Sequence, residues 1–158
     1  MKTVQSIVGV VAAVFAVPVS AQEQDLANLA SMVTMEGKCH KVVIGGADAS
    51  ALCKRAVVNF AYRSGRSSFQ FVAEDKAVVG FYGADSAADG DQAVLKVEKI
   101  TLNLMMGLPS TGADASGTCT YTNPYAGPSL IQCTATSGGK AFAATFVSDG
   151  TEPSVEEF

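Results

Sequence analysis

Histidine is nearly absent from this chain, with His40 the single example. Its ordinary pKa lies nearest neutrality, so most acid–base and nucleophilic routes lose their usual participant. A Ser-His-Asp system would have to use His40, and no G-x-S-x-G elbow presents a serine. Gly107-Leu108-Pro109-Ser110-Thr111-Gly112 matches that elbow only in composition. An H-E-x-x-H pair, a Walker loop and a dinucleotide fingerprint are also missing. No cofactor is therefore expected. Basic residues are few, eleven against fifteen acidic ones, for a net charge of −4. A nucleic-acid binder needs a basic stripe that displaces counterions, so nucleic acid is excluded as the partner. After the first apolar run, no other approaches the ~18 residues of a membrane helix. No membrane span is expected.

That first run is informative. Met1-Lys2-Thr3 gives a charged start, Ile7 to Val19 is apolar, and Val19-Ser20-Ala21 is small. This is the anatomy of a secretory signal over residues 1–21. Cleavage after Ala21 would leave Gln22 to Phe158, 137 residues with a charge of −5. No cysteine sits just after the apolar run, so a lipid-modified start is not expected. The mature chain is read as exported, periplasmic or secreted.

An exported chain meets oxidising conditions, and its four cysteines then read as disulfides. Cys39 and Cys53 are fourteen residues apart, and so are Cys119 and Cys133. Of the three pairings that four cysteines allow, equal spacing favours Cys39–Cys53 and Cys119–Cys133; crossed pairing between the halves is the alternative. Each local pair brackets a loop between two strand-like flanks. Opposed residues of antiparallel strands lie within disulfide reach. Each such link is worth ~3 kcal/mol in the chain-entropy account. Zinc competes weakly for the same residues. Close C-x₂-C pairs are lacking, and Cys39 and His40 would point to opposite faces of a strand.

Leu26, Leu29, Ala30 and Val33 recur at helical spacing, which predicts one short N-terminal helix over Gln24–Met35, ended by Gly37. Beyond it the texture is β. Strands are expected near His40–Ile44, Leu52–Tyr62, Ser67–Ala73, Ala77–Tyr82, Ala93–Leu104, Thr118–Thr122, Leu130–Thr136 and Ala141–Val147. Ala56, Val58, Phe60 and Tyr62 share one face, as do Phe69 with Phe71 and Phe142 with Phe146. Such alternation is what a half-buried sheet requires. In Ala93–Leu104 the apolar parity changes between Val97 and Ile100. A β-bulge near Glu98-Lys99 reconciles the two halves, with a helix as the second reading. The expected organisation is a signal over 1–21, a helical segment over 22–37, a disulfide-stabilised β domain over 38–150 and a flexible tail over 151–158. The expected fold is mainly β, an antiparallel sandwich or small open barrel of seven or eight strands.

Candidate contact residues follow from loops and charge. Asn123 to Ser129 would be pinned by Cys119–Cys133 and stiffened by Pro124 and Pro128, presenting Tyr125. A preorganised aromatic loop loses little entropy on binding; the competing reading folds Tyr125 back on the sheet. Residues 38–66 carry a local +5, and residues 67–158 a local −7. Arg63 and Arg66 at a Gly65 turn therefore join Asn123 and Tyr125 as candidate binding residues. Leu104-Met105-Met106-Gly107-Leu108-Pro109 is either an adaptable contact loop or a cap on the core. Asp85, Asp89 and Asp91 invite a calcium reading but lack EF-hand spacing, and no metal site is expected. The leading expectation is a non-enzymatic exported binding or accessory module, inhibitor-like, for an extracytoplasmic protein or an acidic glycan. It is expected to be monomeric. A small hydrolase using scattered carboxylates and a surface-assembly subunit that adds strands to neighbours are the alternatives.

Overall fold

The computed structural model describes residues 28–74, 77–104 and 111–158. The signal at 1–21, the first residues of the expected helix and the methionine-bearing segment 105–109 lie outside them. The described chain forms ten strands: β1 (Leu29–Ile44), β2 (Ala47–Asp48), β3 (Cys53–Tyr62), β4 (Arg66–Ala73), β5 (Ala77–Asp89), β6 (Gln92–Leu104), β7 (Thr111–Thr122), β8 (Leu130–Ser137), β9 (Lys140–Ser148) and β10 (Ser154–Glu157). All pairings are antiparallel, in the order β1-β3-β4-β5-β6-β7-β8-β9, and β9 returns to β1. Eight strands thus close a barrel. Of the expected sandwich or small open barrel of seven or eight strands, the chain forms the barrel, and closure joins β9 to the second half of β1, through Gly37↔Ser148 to Val43↔Ala143.

The barrel is filled by side chains. Met35, Val42, Val57, Phe69, Phe71, Val79, Phe81, Leu95, Ile131 and Phe146 belong to one buried cluster. Period-two alternation places them. Along β8, buried Ile131, Cys133 and Ala135 alternate with exposed Gln132, Thr134 and Thr136. On this strand the polarity, apolar inside and polar outside, is the reverse of a lipid-facing barrel strand. Among the described residues no helix is long and apolar enough to cross a membrane.

Three expectations need correction. The helix over Gln24–Met35 is not formed where the chain is described: from Leu29 onward it is strand β1. Val33, Met35, Gly37 and Cys39 form an alternating inward row, and a bulge at His40 returns Val42 to the interior. Cross-strand pairing on both sides of β1 outweighs the short helical period. On β3 the core-facing residue is Val57, fully buried, while Ala56, Val58, Phe60 and Tyr62 lie half-buried on the outer wall. The 151–158 segment, expected as a flexible tail, contributes β10, paired with β1 from Ser31↔Glu157 to Thr34↔Ser154.

Other expectations stand. The eight expected strands match the eight barrel strands in order. The bulge in β6 falls at Glu98, between pairs Tyr82↔Lys99 and Gly83↔Val97 with β5. Both disulfides are the local ones, Cys39–Cys53 and Cys119–Cys133. The second joins directly opposed residues of β7 and β8 inside the barrel. Cys39 is therefore not a free thiolate for a metal.

Candidate functional site: the split end of the barrel

One end of the barrel carries the β3–β4, β5–β6, β7–β8 and β9–β10 connections and the start of β1. Here the wall is not continuous. Leu130, the first residue of β8, pairs with Val147, which pairs with Lys38 of β1. Beyond that level the same side of β1 is bonded to β10, and β10 has no strand on its second side among the described residues. The β7–β8 loop, residues 123–129, spans the interruption.

Buried hydroxyls hold that loop. Ser129 Oγ donates to Thr122 O at 2.6 Å, and Ser129 N donates to Ser148 Oγ at 2.7 Å. Ser148 N returns a bond to Ser129 O at 2.9 Å. Both serines are buried, so these bonds replace water that the backbone cannot reach. At the tip, Asn123 Oδ1 accepts from Tyr125 N at 2.9 Å, an Asx turn that fixes the approach to Tyr125.

Under the loop lies a cavity of about 170 Å³ lined chiefly by Val33 and Met35 of β1, Phe69 of β4, Tyr121 of β7, Ile131 of β8 and the loop's Tyr125. Asn59 of β3 also reaches it, with its Nδ2 donating to Ser68 O at 3.2 Å. The Tyr121 ring meets Phe69 edge-on at 4.9 Å, and its hydroxyl donates to Asp85 Oδ1 at 3.0 Å. Burial, and then the neighbouring Asp85 carboxylate, push the Tyr121 hydroxyl above the usual tyrosine range. It stays neutral and acts as a fixed donor. The residues lining the cavity include no carboxylate.

The exposed large hydrophobics of the described chain are Tyr125 (57%), Leu130 (38%), Val155 (44%) and Phe158 (58%). All belong to this end. Val155 pairs with cavity-lining Val33, so it stands one strand over from the cavity wall. Exposed apolar groups grouped around a cavity mark an interaction site more often than scattered ones do.

Of the four candidate binding residues, the structure brings Asn123 and Tyr125 together at this mouth. Arg63 is at the same end, but its guanidinium donates to Leu29 O and Phe158 O, tying the first residue of β1 to the C-terminal segment. Arg66 is paired with Glu98 at 2.9 Å. Charge is also divided along the molecule. Lys38, Lys41, Lys54 and Arg55 are exposed on the second half of β1 and the start of β3, whereas Glu152, Glu156 and Glu157 are exposed beside the mouth.

Several residues of the site escaped sequence reading. The helical reading puts Val33 on the helix face and Met35 at the helix end; the inward row Val33, Met35, Gly37 and Cys39 is the signal that places both on a strand. Ser129, Ser148 and Val155 carry no local signal, because their roles depend on which strands meet. No protein-family profile, curated protein or solved structure matches the chain.

Proposed function

We propose that this protein is an exported, non-enzymatic binding or accessory module that holds its partner at the split end of the barrel. The leader-like start and the cysteine pairing support export. One observation carries the binding reading: a ring-sized apolar cavity and the exposed large hydrophobics share one end, under a loop pinned by buried hydroxyls. A rigid aromatic loop and a preformed pocket lower the entropy lost on association. Hydrolysis by paired carboxylates has less support, since the cavity lining offers neither acid nor base.

The test is capture from the host's exported fraction under non-reducing conditions, followed by titration with the purified partner. Tyr125→Ala is expected to weaken binding by about tenfold or more, as loss of a tyrosine hot spot does. Its melting temperature should stay near that of the parent, because the ring is mostly exposed. Unchanged affinity with a lowered melting temperature would make Tyr125 a packing residue and refute the reading.

A further inference from the structure

Resting on that reading of the barrel end, we infer that the partner docks as an extended peptide strand added to the free edge of β10. One ring-sized apolar side chain would enter the cavity, with basic residues on either side of it.

Three observations converge. The first is the edge. β10 is hydrogen-bonded to β1 along one side, and among the described residues its second side faces no strand. Unpaired backbone donors and acceptors there form a template for one more strand. The second is position and size. Val155 pairs with Val33, so a residue opposite Val155 on an added strand would share the sheet face from which Val33 lines the cavity. About 170 Å³ is comparable to the ~150 Å³ apolar cavity that accepts benzene, which suits one phenyl ring or one branched aliphatic group.

The third is charge. In a strand, neighbours of the inserted residue point outward. On β10 the outward neighbour of Val155 is Glu156, paired with the outward Met32. Asp149, Glu152 and Glu157 are also exposed on this segment. Cross-strand pairs of opposite charge stabilise a sheet and like charges oppose it. Lysine or arginine next to the apolar anchor is therefore favoured. The same acids disfavour a second copy of this chain, because two β10 edges would bring glutamates together. A preference for polycations over acidic glycans at this end follows from the same charges.

The experiment uses the ¹⁵N-labelled, oxidised full-length mature chain and three capped heptapeptides. The first is Lys-Thr-Lys-Phe-Lys-Thr-Lys. The second replaces phenylalanine by alanine, and the third replaces every lysine by glutamate. Toluene is titrated separately as a ring-only probe. The first peptide is expected to shift the β10 amides and those of residues 121–131 together, with each altered peptide binding at least about tenfold more weakly. Glu156→Lys is expected to reverse the charge preference while leaving the fold's spectrum intact.

If the first peptide shifts the loop but not β10, or the three peptides bind equally, strand addition is overturned. If toluene fills the cavity while no peptide binds, this inference fails and the mouth remains a binding site. If neither toluene nor any peptide perturbs residues 121–131, both fail. Concentration-dependent dimerisation with β10 shifts and no peptide competition would assign the edge to a second copy and overturn the inference.

Discussion

At the scale of single residues, two positions concentrate the physics of this barrel. Tyr121 combines an apolar ring inside the mouth with a hydroxyl bonded to Asp85. Its folded pKa is raised by burial and by that carboxylate. An unfolded tyrosine ionises near pH ~10, so above that pH the unfolded chain binds fewer protons than the folded one. Stability must then fall as pH rises from about 10 toward the raised folded value. Tyr121→Phe is expected to lose less melting temperature between pH 8 and pH 11 than the parent does, measured by circular dichroism. An equal loss in both chains would mean that other groups cause the alkaline sensitivity.

Gly37 is the second position. A β-carbon built there would lie 2.1 Å from Val147 O and 2.6 Å from Ser148 Cα, both backbone atoms. It occupies the point where β1 changes partner from β10 to β9. The strands approach so closely there that no side chain fits, whatever its polarity. Gly37→Ala is expected to cost about 1–3 kcal/mol through forced backbone displacement. A urea midpoint shift with unchanged slope would report it. A variant as stable as the parent would show that the seam can relax.

At the scale of elements, β1 organises the molecule. It is long enough to serve three neighbours, β3 on one side and β9 and β10 in succession on the other. β10 is short and acidic, features that blunt an exposed edge. Arg63 anchors its far end through Leu29 O and Phe158 O. Arg63→Ala is therefore expected to speed amide exchange at Glu156–Phe158 and the first residues of β1, with the remainder of the barrel unchanged. Uniform acceleration across all strands would instead make the arginine part of the global fold. The β7–β8 loop is an element of the opposite kind. It lacks regular structure yet is fixed by Ser129, Ser148 and Thr122.

At the scale of the whole molecule, the two disulfides close similar loops but sit in different surroundings. Cys119–Cys133 is fully buried within the barrel, while Cys39–Cys53 is partly exposed and only borders the core. Both have a sequence separation of 14, so the chain-entropy contribution is alike, about 3 kcal/mol each. Burial adds a second cost when the inner pair is replaced, because the removed sulfurs leave unfilled volume. Cys119→Ala with Cys133→Ala is expected to lower the melting temperature further than Cys39→Ala with Cys53→Ala. Equal losses would show that the interior repacks around alanine.

Much of this was legible in the chain. Eight strands, their order along the sequence, the Glu98 bulge and both disulfides follow from period-two alternation and from loop spacing, which are local properties. The N-terminal helix was misread because Leu26, Leu29, Ala30 and Val33 fit a helical period as readily as Val33, Met35, Gly37 and Cys39 fit a strand. The choice between them lies in pairing partners that are distant in sequence. The same holds for β3, where apolar residues occur at both parities and only curvature decides which face is enclosed. By itself, the sequence determined a disulfide-linked antiparallel β body with a stiff loop presenting Tyr125. Tertiary structure alone decided that the sheet closes through β1 and β9, that β10 pairs on one side only among the described residues, and that Val33, Tyr121 and Tyr125 surround one cavity. Closure depends on long-range register and close backbone approach, and neither is written in any short stretch of residues.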